Sequence, residues 1–138
     1  MTQWANSLIR ISGYEVETLQ KRLADIVTRR SQAAMRLAVL DAEFEVERDR
    51  AVDDPQAAMM MPAYTTAWKI RRSLAESELA TVAIEEDGAR DALARAFEEL
   101  KKFEHVAEVS RLGRIKAENA RETATLDELA LRRKKRAG

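Results

Sequence analysis

The fold of this chain is decided by residues 9–47, which read IRISGYEVETLQKRLADIVTRRSQAAMRLAVLDAEFEVE. Two series of positions recur every seven residues in this stretch, and the spacing between them alternates between three and four. Nine of the twelve positions are apolar: the series are Ile9, Val16, Leu23, Arg30, Leu37 and Phe44, and Ser12, Leu19, Ile26, Ala33, Leu40 and Glu47. This pattern is the apolar seam of a coiled coil. A seam of this length must be covered by another helix.

The composition favours long helices over a compact globule. Aromatic residues make up 5% of the 138 residues, charged residues make up 35%, and the chain contains four Gly and two Pro. Cysteine is absent, which excludes disulfides and thiolate zinc sites. No apolar run is long enough to span a membrane, and the N-terminus lacks the pattern of a secretion signal, so we expect a cytoplasmic protein.

A second seam follows a short connection. Residues 53–62 contain Pro55 and Pro62, which oppose a continuous helix, so they are predicted to join helix one (residues 3–52) to helix two (residues 62–136). The second seam consists of Ala75, Leu79, Val82, Glu86, Ala89, Leu93, Ala96, Leu100, Phe103 and Ala107. We therefore predict one all-α domain over residues 1–138, a long antiparallel two-helix coiled-coil hairpin.

The register of this hairpin is predicted from how the seam charges pair. The favoured register places Leu40 opposite Leu79 and Ile26 opposite Leu93. It also pairs Glu47 with Arg72 and brings Arg30 close to Glu86, so that each seam charge meets an opposite one. A register one heptad shorter would place Ile26 on Glu86 and Leu40 on Arg72, and a longer one would place Leu40 on Glu86. In the favoured register about 20 residues overhang as a C-terminal helix, about 30 Å long.

A second apolar line lies outside the seam, in the half of the hairpin near the connection. Its members are Met35, Val39, Ala42, Val46, Ile70, Leu74 and Ile84. Such a line indicates binding of a protein partner, although self-association into a four-helix bundle and scattered exposed aliphatics are alternatives. Tyr64 and Trp68 either stabilise the hinge or extend this line, and the hinge role is favoured for Trp68, which the register places opposite Ala51.

The termini and the polar residues indicate binding functions rather than catalysis. His105 is the only histidine, and no nucleophile pattern, phosphate-binding loop or metal-ligand constellation accompanies it, so neither an enzyme nor a cofactor is expected. Residues 132–136 carry five positive charges although the whole chain has a formal net charge of zero. This basic run suits nucleic acid, anionic lipid or an acidic protein surface, or else a solvated tail.

Several short segments resemble the FliJ family of flagellar export proteins. They are LIRI at 8–11 and YEVE at 14–17, which open the first helix, EELKK at 98–102, Glu118, and LDELA at 126–130 before the basic end. The resemblance covers nearly the whole chain and implies a cytoplasmic part of the type III export apparatus, involved in flagellum biogenesis, motility and chemotaxis. Members of the family are antiparallel coiled coils similar to the central stalk of rotary ATPases.

The resemblance also implies partners. Members insert the end that holds both termini into the hexameric export ATPase ring, contact the membrane-embedded export gate through exposed residues near the hinge, and handle export chaperones. Carried over to this chain, the gate-binding residues are Met35, Val39, Val46, Tyr64, Ile70, Leu74 and Ile84. The ring-binding residues are Trp4, Leu8, Arg10, Arg132, Arg133, Lys134, Lys135 and Arg136. We expect a monomer peripheral to the membrane near the flagellar base, without a nucleic-acid ligand.

Overall fold

The structure is a computed structural model that describes residues 2–137. Two helices account for nearly all of the described chain: α1 spans Thr2–Asp53 and α2 spans Pro55–Ala137. No strand occurs among these residues. The predicted all-α helical hairpin is therefore confirmed.

The connection between the helices is shorter than the predicted segment 53–62, because only Asp54 is non-helical. Its carboxylate Oδ1 accepts hydrogen bonds from the backbone N–H groups of Gln56 at 3.0 Å and Ala57 at 3.4 Å, so Asp54 caps α2. Pro55 occupies the first helical position, where its missing N–H costs nothing. Pro62 lies inside α2 rather than at its start. The predicted segment is too long because it starts helix two at Pro62, whereas Asp54 and Pro55 already start α2.

Close packing divides the described chain into two units, residues 17–94 and residues 2–16 with 95–137. Within residues 17–94 the two helices run antiparallel, since Arg29 pairs with Glu85 whereas Phe44 packs on Tyr64. The core is narrow: Ile26, Val82 and Ala89 form a buried cluster, and Leu23 packs against it.

These contacts correct the predicted register by about one heptad. The prediction placed Ile26 opposite Leu93, but Ile26 packs between Val82 and Ala89, which brings it level with Glu86. The sequence disfavours this shorter register because it faces the apolar Ile26 with Glu86 and the apolar Leu40 with Arg72. In the structure both charged side chains are long enough to reach ionic partners beside the seam. The short, capped connection then sets the register.

Glu86 illustrates how the charge is accommodated. Its side chain is only 6% exposed, and it accepts a hydrogen bond from Arg30, which is half exposed. Arg90 approaches the same carboxylate at 3.6 Å. No buried side-chain nitrogen or oxygen in the described part of the chain lacks a hydrogen-bond partner. The predicted contact between Arg30 and Glu86 is thus confirmed, although Glu86 lies level with Ile26.

In the second unit, Ala5, Ser12 and Val16 of α1 and Ala96 of α2 are buried. The last half-buried residue of α2 is Ser110, and every residue from 111 to 137 is exposed. At 1.5 Å per residue, this exposed helical segment is about 40 Å long. The predicted C-terminal overhang is present, and it begins earlier than predicted because the register is shifted.

Candidate protein-binding surfaces

An apolar surface of residues 17–94 consists of two adjoining shallow grooves between α1 and α2, which we call the flank groove. The floor and rim come from both helices. The apolar side chains that line it are Met35, Val39, Leu40, Ala42, Val46, Tyr64, Leu74 and Ala75. Its charged rim consists of Arg36, Glu43, Glu47, Arg71 and Glu78. Leu74 is 67% exposed and Met35 is 64% exposed, so much of this apolar surface faces solvent.

Five of the seven predicted gate-binding residues line the flank groove: Met35, Val39, Val46, Tyr64 and Leu74. The other two, Ile70 and Ile84, are exposed aliphatics that line neither of its two parts. Both keep the exposed position on α2 that the predicted apolar line gives them.

An aromatic cluster of Phe44, Tyr64 and Trp68 joins the two helices near the hinge. The rings of Phe44 and Trp68 lie 4.3 Å apart between centroids, and those of Phe44 and Tyr64 lie 6.3 Å apart. The indole Nε1 of Trp68 donates a hydrogen bond of 2.7 Å to the backbone carbonyl of Leu40. Trp68 therefore has the predicted hinge role but packs on Phe44 rather than opposite Ala51. Tyr64 has both predicted roles in geometry, since it stacks in this cluster and also lines the groove.

Arg72 connects the aromatic cluster to the acidic part of α1. Its Nε donates to Asp41 at 2.7 Å, it also pairs with Glu76, and its guanidinium lies 5.8 Å from the Trp68 ring centroid. The hydrogen bond to Asp41 raises the pKa of Arg72 above its ordinary value. The predicted pair of Glu47 with Arg72 is wrong: Glu47 pairs with Arg50 at 3.4 Å. Arg72 extends out of the seam to Asp41 rather than to Glu47.

A ladder of ion pairs runs along the same side as the flank groove. Arg29 pairs with Glu85, and Arg36 pairs with Glu78 at 2.6 Å. Glu43 lies seven residues after Arg36 on α1, and Arg71 lies seven residues before Glu78 on α2. In the described part of the chain neither of these two side chains forms a hydrogen bond or an ion pair, and both are exposed. Sequence reasoning missed these two residues because their position on the rim depends on the register.

The second candidate surface lies in the unit of residues 2–16 and 95–137. A shallow groove on the exposed part of α2 is lined by Leu126, Leu129, Ala130, Arg132, Arg133 and Arg136. Arg132 pairs with Glu128 at 3.1 Å. Of the predicted ring-binding residues on α1, Trp4 is 51% exposed, Arg10 is exposed and Leu8 is half-buried, and none of the three lines this groove. Lys134 and Lys135 are exposed beside it.

No group of three or more acidic or histidine side chains among the described residues is placed to hold a metal ion. None of the helical stretches that the structure describes combines the length and the apolarity needed to cross a lipid bilayer.

The fold and its surfaces define a class of protein: a coiled-coil hairpin with an exposed apolar groove between its helices and a basic helical end. Comparison with known proteins narrows this class. The chain is 53% identical over 133 residues to the Flagellar FliJ protein of Caulobacter vibrioides strain NA1000, and the match covers 96% of each chain. The same protein from strain ATCC 19089 matches equally well. The chain therefore belongs to the FliJ family. No family model matches the chain, and no solved structure matches it.

Proposed function

We propose that this chain is a non-enzymatic coiled-coil component of the flagellar protein export apparatus. In this proposal the end that carries Trp4, Leu8, Arg10 and the basic run 132–136 inserts into the export ATPase ring as a stalk. The flank groove binds the membrane-embedded export gate and also receives export chaperones. The protein acts in the cytoplasm, peripheral to the membrane at the flagellar base. Membership of the FliJ family supports this assignment.

The observation that carries the adaptor part of the proposal is the exposed apolar floor of the flank groove. Val39 and Leu74 come from different helices and line the same part of it. Exposed aliphatic side chains that converge on one groove are typical of protein-binding surfaces. Burial of two such side chains against a partner contributes about 3 kcal/mol, at about 1.5 kcal/mol for each.

The test is to replace both Val39 and Leu74 with serine in the full chain. We expect gate binding to weaken by about a hundredfold, since about 3 kcal/mol of apolar burial is lost. Binding would be measured by surface plasmon resonance with the export gate protein in lipid nanodiscs, and circular dichroism would verify that helix content is unchanged. The double variant Val52→Ser and Met59→Ser is the matched control, because it removes one exposed apolar side chain from each helix outside the groove. Unchanged gate binding by the Val39 and Leu74 variant would contradict the adaptor role.

A homodimeric four-helix bundle is the alternative that the same apolar floor supports. Sedimentation velocity separates the two functions, because the proposed stalk and adaptor is a monomer. A concentration-dependent dimer that the Val39 and Leu74 substitutions dissolve would favour the bundle. Loss of nucleic-acid or anionic-lipid binding on removal of residues 132–138 would instead favour the adaptor that uses the basic tail.

A further inference from the structure

We infer that the occupant of the flank groove is a single amphipathic α-helix of the partner protein, and that Glu43 and Arg71 select it by its charges. The inference rests on the proposed function and extends it, because it names the kind of partner segment and the residues that determine specificity. The required helix has an apolar stripe that contacts the groove floor. It carries a basic residue on the flank that faces α1 and an acidic residue on the flank that faces α2.

The first observation is the open position in the ion-pair ladder. Arg29 with Glu85 and Arg36 with Glu78 are closed pairs between the two helices, one heptad apart. Glu43 and Arg71 occupy the next equivalent positions, with the acid now on α1 and the base on α2. They are complementary in charge, yet in the part of the chain that the structure describes each lacks an ionic partner. Both therefore keep their pairing capacity for another molecule.

The second observation is where this open pair lies. Glu43 and Arg71, together with Val39, line both parts of the flank groove, so they stand at its middle. Apolar side chains continue in both directions: Met35 and Leu74 lie on one side, and Val46 and Tyr64 on the other. An acid from α1 and a base from α2, each without an ionic partner among the described residues, thus line the same apolar groove. Charges at such a position determine which partner is accepted and how it is oriented.

The shape of the groove fits a helix. Its walls are two packed helices, and a third helix lies naturally in the groove between two others. From Met35 to Val46 the α1 wall is about 16 Å long, which corresponds to about three turns of the bound helix. An extended peptide is not accommodated as an added strand, because strand addition needs a free sheet edge and the described residues of both walls are helical.

The test exchanges the two charges within the full chain. Glu43→Arg combined with Arg71→Glu keeps the net charge and keeps one acid and one base at the groove, but it reverses their order relative to the partner. We expect at least about tenfold weaker binding to the export gate protein in lipid nanodiscs, because two attractive contacts become repulsive. The helix content and the thermal unfolding midpoint should stay the same, since neither residue forms an ion pair with any residue that the structure describes.

The matched control is Arg29→Glu combined with Glu85→Arg. This exchange involves the same heptad positions and the same charges, but neither residue lines the flank groove. We expect its affinity for the gate protein to stay within about twofold of the unchanged chain, since an exposed pair contributes little and is retained in reversed order.

The outcomes separate this inference from the proposed function. If the Val39 and Leu74 serine variant loses gate binding and the Glu43 and Arg71 exchange does not, the adaptor role stands and the charge selection is overturned. If neither variant loses binding, or the unchanged chain does not bind the gate protein, both are overturned. A self-associated dimer that survives the exchange would also overturn the inference. In a symmetric dimer both copies change together, so the complementarity between them is kept.

Discussion

Replacing Ile26 with alanine is expected to lower the free energy of unfolding by about 3 kcal/mol, the middle of the range for truncating a buried aliphatic side chain. Ile26 is 4% exposed and packs with Val82 and Ala89 in the buried cluster of residues 17–94. The effect should be large because this core is narrow. Alanines already occupy many of its layers, so few neighbours are able to close the cavity.

The measurement is urea denaturation followed by circular dichroism, with the slope m compared between variants so that a change in midpoint reports stability alone. Ile84→Ala is the matched control, since it removes the same atoms from a side chain that is 73% exposed. It should change the free energy of unfolding by less than about 0.5 kcal/mol. Equal effects of the two substitutions would show that Ile26 is not in the core.

Replacing Trp68 with alanine should cost about 2–3 kcal/mol, less than for a fully buried tryptophan because Trp68 is half-buried. The substitution removes the ring packed on Phe44, the hydrogen bond to the carbonyl of Leu40, and the surface beneath the Arg72 guanidinium. These contacts join α1 to α2 near the hinge. Their loss should also weaken gate binding, because Tyr64 of the same cluster lines the flank groove.

Trp4→Ala provides the control for this prediction, since Trp4 is the other tryptophan and is 51% exposed. Thermal unfolding by circular dichroism should show a clearly lower midpoint for the Trp68 variant and a much smaller change for the Trp4 variant. Trp68→Phe separates the ring packing from the hydrogen bond. It keeps an aromatic ring beside Phe44 but removes the N–H donor, and this loss should cost about 1 kcal/mol of stability. A Trp68→Ala variant as stable as the unchanged chain would contradict the role of Trp68 at the hinge.

The predictable part of the fold is the part that depends on local periodicity. The heptads of residues 9–47 and of the second seam are enough to predict two helices, because each places its apolar residues on one face. The overhang also follows, since the second helix is longer than the first. The contact of Arg30 with Glu86 is also predictable from the sequence, because both are charged residues at seam positions that are otherwise apolar.

The same periodicity does not predict the register. Matching of directly facing residues disfavours the observed register, whereas Glu86 and Arg72 have side chains long enough to reach ionic partners beside the seam. The predicted connection is also longer than the observed one, because Asp54 caps α2 and Pro55 starts it. A one-heptad error moves every cross-helix neighbour by about 10 Å. For that reason the residues that line the flank groove were only partly predicted, and its open charge pair was missed.

This register determines the function proposed for the flank groove. It puts Val39 and Leu74 in one groove. It also places Glu43 and Arg71 one heptad beyond the Arg36–Glu78 pair, at positions where the structure shows no ion pair. In the register predicted from the sequence, Glu43 and Arg71 would lie at different levels and would not form the next step of the ladder. The specificity proposed for Glu43 and Arg71 therefore depends on the contact of Ile26 with Val82 and Ala89.

Cross-linking of engineered cysteines tests this register most directly, because the chain contains no cysteine of its own. Leu37→Cys combined with Ala75→Cys places two thiols at the same level of the seam, between the Arg36–Glu78 pair and the Trp68 hydrogen bond to Leu40. Leu37→Cys combined with Val82→Cys places them one heptad apart. Under mild oxidation at low protein concentration, the first pair should form a disulfide within one chain and the second should stay reduced. A disulfide between positions 37 and 82 in preference to 37 and 75, or disulfides that join two chains, would contradict the account.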